Sequence, residues 1–245
     1  MIPKKIHYCW FGRGPLPELA RKCIASWRKY LPEYEIKEWN EDNFDVHCIP
    51  YCSEAYDAGK YAFVSDYARF KILYEYGGLY FDTDVEVIKA MDDIISRGPF
   101  MGCERDADTV KGDGAAVAPG LGLGVNPGLG LYKEILELYE TLHFIGADGT
   151  MNLKTVVQYT TEVLCKHGLK HVGDVQFVDG IFVYPKEYFN PMEFVNQVCI
   201  TPNTCSIHHY AGTWLPWNKR MKKRVQKILG KRITSWCVRL KSFFR

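Results

Sequence analysis

Two aspartates one residue apart, Asp82 and Asp84, lie near the end of the stretch Ser65-Asp-Tyr-Ala-Arg-Phe-Lys-Ile-Leu-Tyr-Glu-Tyr-Gly-Gly-Leu-Tyr-Phe-Asp-Thr-Asp-Val-Glu-Val87. If this run is a strand, both carboxylates project from one face and Thr83 from the other. Carboxylates that close repel one another. The pattern is expected where a divalent cation, or a ligand rich in hydroxyls, supplies the balancing interactions. Upstream, Asp66 stands three positions before Arg69 and shares its face of a helix. Gly77-Gly78 ends that helix without a Cβ penalty and turns the chain into the strand. Together these residues predict a metal-assisted site at the C-terminal end of a strand, with an Asp/Arg pair on the helix beside it.

The elements that must hold these groups alternate along the chain. Lys5 to Phe11 reads as a buried first strand and Gly12-Arg13-Gly14-Pro15 as a turn. A helix is expected from about Pro17 to Tyr30, with proline near its first turn and Pro32 ending it. Tyr34–Trp39 alternates as a second strand, and Glu41–Tyr51 reads as a loop or short helix. Lys60 to Tyr76 is the helix before the aspartates, with Phe63, Tyr67, Phe70 and Tyr74 as its apolar stripe. Short strands are expected at Val85–Ile88, Phe100–Cys103, Leu121–Val125, Asp174–Val178, Ile181–Tyr184 and Cys205–Tyr210. Helices are expected from Pro127 to about His143 and from Leu153 to Cys165. The charged, glycine-rich run Glu104 to Gly120 reads as a mobile loop over a site. This alternation predicts an α/β layer fold with a largely parallel sheet.

At 245 residues the chain can bury a full core. Its 47% hydrophobic and 24% charged content is globular. The nine cysteines are an odd number without a dense framework, and the Cys48/Cys52 pair has no second pair at zinc-ligand spacing. Reduced thiols and a cytoplasmic compartment are the expectation. The opening Ile2-Pro-Lys-Lys-Ile-His-Tyr-Cys-Trp-Phe11 reads as a strand and not as a signal peptide. No run approaches the roughly 18 apolar residues that span a bilayer. The formal charge of +2 hides an asymmetry: residues 218–245 hold eleven Lys/Arg and no acid, leaving residues 1–217 at −9.

Three motifs in order, Ile6-His-Tyr-Cys-Trp-Phe-Gly12, then Ser65-Asp66…Arg69…Tyr76-Gly-Gly-Leu-Tyr-Phe-Asp-Thr-Asp84, then His208-His-Tyr-Ala-Gly-Thr-Trp214, resemble the DXD-containing sugar transferases. That group holds the family 32 glycosyltransferases, of capsular polysaccharide and yeast initiating mannosyltransferase-like types, and the catalytic domains of clostridial glucosylating toxins. The resemblance spans about residues 2 to 217. It implies a GT-A type nucleotide-sugar-binding fold over residues 1–217, with a mostly parallel central sheet flanked by helices. Residues 218–245 would follow as a separate basic amphipathic C-terminal helix.

The resemblance also implies roles. Trp10 matches the aromatic that stacks on the nucleotide base; in its place at the end of the first strand it could equally be core. Asp66 and Arg69 match residues that grip donor-sugar hydroxyls and the diphosphate region, where the plain alternative is an internal salt bridge. Tyr80 matches an aromatic near the donor, Thr83 lies between the two aspartates, and Trp214 matches a tryptophan near the leaving diphosphate. Asp82 is expected on ribose and sugar hydroxyls. Asp84 is expected as a direct ligand of Mn²⁺ or Mg²⁺, with His209 completing the shell and His208 as the alternate on the opposite side of a strand. The chain departs from many family 32 sequences in having Lys154-Thr-Val-Val-Gln158 where they carry Gly-Pro.

The function so implied is metal-dependent, retaining transfer of a hexose from a nucleotide sugar, a UDP-sugar foremost, to a glycan or lipid-linked glycan in bacterial surface polysaccharide biosynthesis. The apolar residues of the basic tail, from Met221 to Phe243, recur at helical spacing. They suggest an interfacial helix on an anionic membrane, which would make the protein peripheral on the inner face of the plasma membrane. Nothing accompanies the charge to suggest nucleic acid. Two other readings stand beside this one. Phe81-Asp-Thr-Asp-Val85 with Gly173-Asp174-Val-Gln-Phe-Val-Asp179 fits a haloacid-dehalogenase-like phosphatase, although a strand follows Asp179 where those enzymes need a helix. A non-catalytic sugar-nucleotide-binding module would use the same residues.

Overall fold

The computed structural model describes residues 1–106, 114–170, 173–194 and 197–212. The basic tail, the domain boundary at 217 and Trp214 lie outside the described residues. In chain order the elements are β1 (Lys5–Cys9), α1 (Glu18–Tyr30), β2 (Glu35–Trp39), α2 (Pro50–Asp57), α3 (Tyr61–Tyr76), β3 (Gly78–Tyr80) and β4 (Val85–Val87). Then come α4 (Asp92–Ile95), β5 (Phe100–Arg105), β6 (Ala116–Val117), β7 (Leu123–Val125), α5 (Gly130–Glu140) and α6 (Val156–Lys166). The described part closes with β8 (Gln176–Val178), β9 (Ile181–Tyr184), α7 (Lys186–Phe189), β10 (Met192–Phe194), β11 (Gln197–Val198) and β12 (Ser206–His208).

The main sheet runs β2-β1-β3-β7-β5-β9-β8, with β6 added to β5. β1 pairs in parallel with β2 and β3, and β5 with β9. β7 is inserted antiparallel between β3 and β5, so β2, β1, β3, β5 and β9 all run one way. The α/β fold with a mostly parallel sheet is as the sequence predicts. A two-stranded ribbon of β4 and β12 stands apart from it, as does a β10–β11 hairpin.

Side chains on alternate faces of the strands divide the core in two. Ile6 and Tyr8 of β1 and Leu79 of β3 join α1 on one face, where Cys23, Ile24 and Trp27 supply an i, i+1, i+4 stripe. Cys9 and Tyr80 point to the other face, against α2, α3, α5 and α6. Trp27 ties these layers to the site: its ring lies 5.5 Å from Phe81 and its Nε1 donates to the Val85 carbonyl at 2.8 Å. Ser26 Oγ accepts from the Val87 amide at 3.0 Å. One helix therefore pins β4, the strand that follows the two aspartates.

Some elements differ from expectation for physical reasons. α3 is not an amphipathic surface helix. Phe63, Val64, Asp66, Tyr67, Ala68, Arg69, Phe70, Ile72 and Leu73 are all buried, while Tyr74 is only half-buried. A helix covered nearly all round carries no single stripe. α2 begins at Pro50, with proline at its first position, where a loop or short helix up to Tyr51 is expected. Of the run Glu104–Gly120, residues 107–113 lie outside the described residues. The rest is ordered, since β6 pairs with β5 and Ala115 to Gly120 are buried. Cysteines 9, 23, 48, 52, 103, 165, 199 and 205 are free thiols.

Candidate donor and metal site

The two aspartates converge through a turn, not through strand alternation. β3 ends at Tyr80, and the Val85 amide bonds back to the Asp82 carbonyl at 3.0 Å. The turn is held in place from both flanks: Phe81 N–H donates to the His7 carbonyl at 3.3 Å and Asp82 N–H to the Gly120 carbonyl at 3.0 Å. His7 fixes its entry. Trp39 Nε1 can only donate, and it does so to His7 Nδ1 at 3.1 Å. Nε2 of His7 therefore carries the proton and donates to the Gly77 carbonyl at 3.0 Å. Burial pushes this imidazole down to about 4, so it is a neutral brace between β1 and the end of α3.

Asp82 receives the α3 pair. Its Oδ1 accepts from the Tyr80 hydroxyl at 3.1 Å and lies 3.4 Å from Arg69 Nη2. Arg69 is 3% exposed and bonds Asp66 Oδ1 at 2.8 Å, with its guanidinium 5.0 Å over the Tyr80 ring. Burial raises the Asp66 carboxyl to about 7 and the Asp82 charge adds to this, while Arg69 and the Val156 amide in the first turn of α6 pull the other way. Burial opposes the Arg69 charge, but Asp82, Tyr80 and Asp66 outweigh it and hold the guanidinium charged. The i, i+3 salt bridge thus exists and is also joined to the first aspartate.

Asp84 is gripped by the last residue of β12 and the segment after it. Its Oδ1 lies 3.0 Å from His208 Nε2, its Oδ2 accepts from the Ala211 amide at 2.7 Å, and its carbonyl accepts from the His209 amide at 2.9 Å. A carboxylate only accepts, so the proton of that contact sits on His208 Nε2. Burial pushes Asp84 up, and the His208 charge, its hydrogen bond and the Ala211 amide outweigh it, keeping the carboxyl below its usual range. Burial lowers His208, and Asp84, Asp82 and Glu104 more than offset this, so the imidazole is raised.

Asp82, Asp84 and His208 each offer a ligand atom within 4.8 Å of the others. His208 Nδ1 is buried without a hydrogen-bond partner. Two carboxylates and an imidazole with one ring nitrogen unpartnered fit a divalent ion of the Mn²⁺ or Mg²⁺ kind. His208 is the histidine that stands with the aspartates. His209 instead faces Glu86, Nε2 to Oε2 at 2.8 Å. The reversal follows from the ribbon: β12 pairs with β4 in antiparallel register, His208 opposite Val85, so the strand's last residue meets the turn.

Trp10 follows β1 just as Asp82 follows β3, and these parallel neighbours put both beyond the carboxyl ends of their strands, where ligands of open α/β sheets bind. Trp10 is half-buried, with its Nε1 donating to the Gly14 carbonyl at 2.6 Å. Thr83 is half-buried within the turn. The second acidic motif of the phosphatase reading lies on the β8–β9 hairpin, where Asp179 faces His167 at 3.3 Å. Gly120, Glu86, Asn190 and Tyr210 were not expected at the site. Gly120 gives no sequence signal, and Tyr210 could have been noticed as a member of the His208-His-Tyr run.

Residues 17–101 match the family described as a glycosyltransferase sugar-binding region containing a DXD motif. Within that stretch lie Asp66, Arg69, Asp82 and Asp84, while His208 comes from well outside it. Inositol phosphoceramide mannosyltransferase 1 of Schizosaccharomyces pombe is 29% identical over 116 residues, covering 41% of this chain and 33% of that protein. An uncharacterized glycosyltransferase, L373, of Acanthamoeba polyphaga mimivirus is 32% identical over 110 residues, covering 41% and 42%. The chain thus spans less than half the length of these relatives. Among solved structures, a PaToxG glycosyltransferase is similar at TM-score 0.49 and 18% identity, covering 67% of this chain and 69% of that one. A glycosyltransferase involved in glycosylation of the major capsid of PBCV-1 is similar at TM-score 0.46 and 12% identity, covering 90% and 98%. Among the described residues, no helix is long and apolar enough to cross a membrane.

Proposed function

We propose that this chain transfers a hexose from a nucleotide-sugar donor, a UDP-sugar foremost, to a glycan or lipid-linked glycan acceptor in surface polysaccharide assembly. The transfer is metal-dependent and retains the anomeric configuration. The observation that carries this reading is the meeting of Asp82, Asp84 and His208 beside the buried Arg69. The mannosyltransferase name of one relative supports a hexose. Asp84 and His208 would hold Mn²⁺ or Mg²⁺, which when bound supplies positive charge against the diphosphate. Arg69 adds a second, fixed positive charge where negative charge develops, and it costs no reorganisation because Asp66 and Asp82 already hold it. Asp82 and Asp66 accept from donor hydroxyls, and Trp10 offers a face to the base.

No side chain among those at the site stands out as a covalent nucleophile, which favours attack from the face the leaving group departs. The anomeric C–O bond to the diphosphate breaks and the acceptor oxygen bonds the same face of that carbon. The acceptor proton passes to the leaving phosphate oxygen. The test is a panel of UDP-glucose, UDP-galactose, UDP-N-acetylhexosamines and GDP-mannose with Mn²⁺, read as donor hydrolysis, with product anomer assigned by NMR. One donor should turn over only with metal, and Asp84→Asn should lower that turnover by at least about a hundredfold. No turnover with any donor would reject the reading in favour of a non-catalytic binding module, and turnover indifferent to metal would reject its metal dependence.

A further inference from the structure

Beside the metal-binding residues stands a side chain with no role in the chemistry so far. Tyr210 has a φ of 49°, in the left-handed region where a bulky residue is strained. Its ring lies against His208, with centroids 4.1 Å apart and planes 51° apart. Its hydroxyl accepts from Asn190 Nδ2 at 2.7 Å, and the same nitrogen donates to the Glu104 carbonyl at 2.8 Å. Asn190 is 3% exposed. It follows α7, and Glu104 lies near the end of β5, so the anchor joins two elements of the main body to the segment after β12. The left-handed residue also turns the chain so that the next amide, of Ala211, reaches back to Asp84 Oδ2. Strain of this kind persists only where its surroundings over-determine it.

We propose that Tyr210 is a positioning residue for the metal site. Anchored by Asn190, it fixes the plane of the His208 ring and the approach of the Ala211 amide. Asp84 and His208 are thereby held together before metal or donor arrives. The proposal rests on the metal reading above and adds to it a residue that touches neither substrate nor ion. Groups that orient metal ligands typically change affinity about 10–100-fold.

The test uses the full chain and Mn²⁺ alone, with affinity read by EPR of the free ion and no donor present. Tyr210→Phe keeps the ring and removes the anchor. Tyr210→Gly accepts the left-handed backbone and removes the ring. We expect Mn²⁺ to bind about threefold more weakly to the first and at least about tenfold more weakly to the second, at nearly unchanged thermal midpoint. Asp84→Asn should abolish binding. If Asp84→Asn abolishes it and both Tyr210 variants bind within twofold of wild type, Tyr210 has no positioning role and the metal reading survives. If wild type itself fails to bind Mn²⁺, the metal reading fails, and ¹⁵N NMR of His208 in the metal-free chain decides the rest. Ring signals displaced in Tyr210→Phe support the positioning of His208, and unchanged signals overturn it.

Discussion

Asp82 is a carboxylate with little room around it. Its Oδ1 is engaged by Tyr80 and Arg69, while a Cβ placed on Gly120 would fall 2.0 Å from its Oδ2 and 3.3 Å from Arg69 Nη1. Glycine is needed at 120 for space, not for backbone conformation. Gly120→Ala should therefore turn Asp82 away from Arg69 and lower donor kcat/KM by at least about tenfold, roughly 1.4 kcal/mol. Its thermal midpoint should stay close to wild type, because the added methyl also restricts the unfolded chain. Steady-state kinetics and a melting curve on the same sample check this; unchanged kcat/KM would show that Asp82 tolerates displacement. Nothing in the residue types around Gly120 announces this role, because the contact joins positions 38 apart in sequence.

At the scale of elements, the passage from α3 to β3 sets where the aspartates emerge. Gly77 and Gly78 both have positive φ, 62° and 99°. A Cβ on Gly78 would meet the Lys5 carbonyl at 2.7 Å and His7 Nε2 at 3.2 Å, so β3 could not close on β1. Gly78→Ala should destabilise the fold by at least about 2 kcal/mol, seen as a lower urea midpoint at unchanged slope. A midpoint equal to wild type would mean the two strands can part without cost. The double glycine was legible as a helix stop, and so were the helix before it and the strand after it. A break at Asp82–Asp84, between the strand before it and the one from Val85, was legible as well. What holds the turn there, the bonds from Phe81 to His7 and from Asp82 to Gly120, is tertiary and was not.

For the whole molecule, the matched region and the folding unit are different things. Residues 17–101 include β3 but neither of its partners, β1 and β7, and they include β4 without β12. A fragment limited to 17–101 should lack cooperative unfolding and should bind no Mn²⁺, while a chain through residue 212 supplies all the described pairings. Circular dichroism melts and a metal titration of the two fragments test this. A cooperative transition in the short one would show that the sugar-binding region folds alone.

The sequence by itself determined the alternation of strands and helices, the α3 pair of Asp66 and Arg69, the double glycine and the two aspartates, because these are local patterns of spacing, face and backbone permission. It also marked the His208-His-Tyr run as part of the same site. Only the tertiary structure decided which histidine meets the aspartates. The β4–β12 register sets His208 against the turn and leaves His209 to Glu86. That choice, like the space at Gly120 and the anchored kink at Tyr210, depends on contacts between distant segments, and no spacing within either segment encodes it.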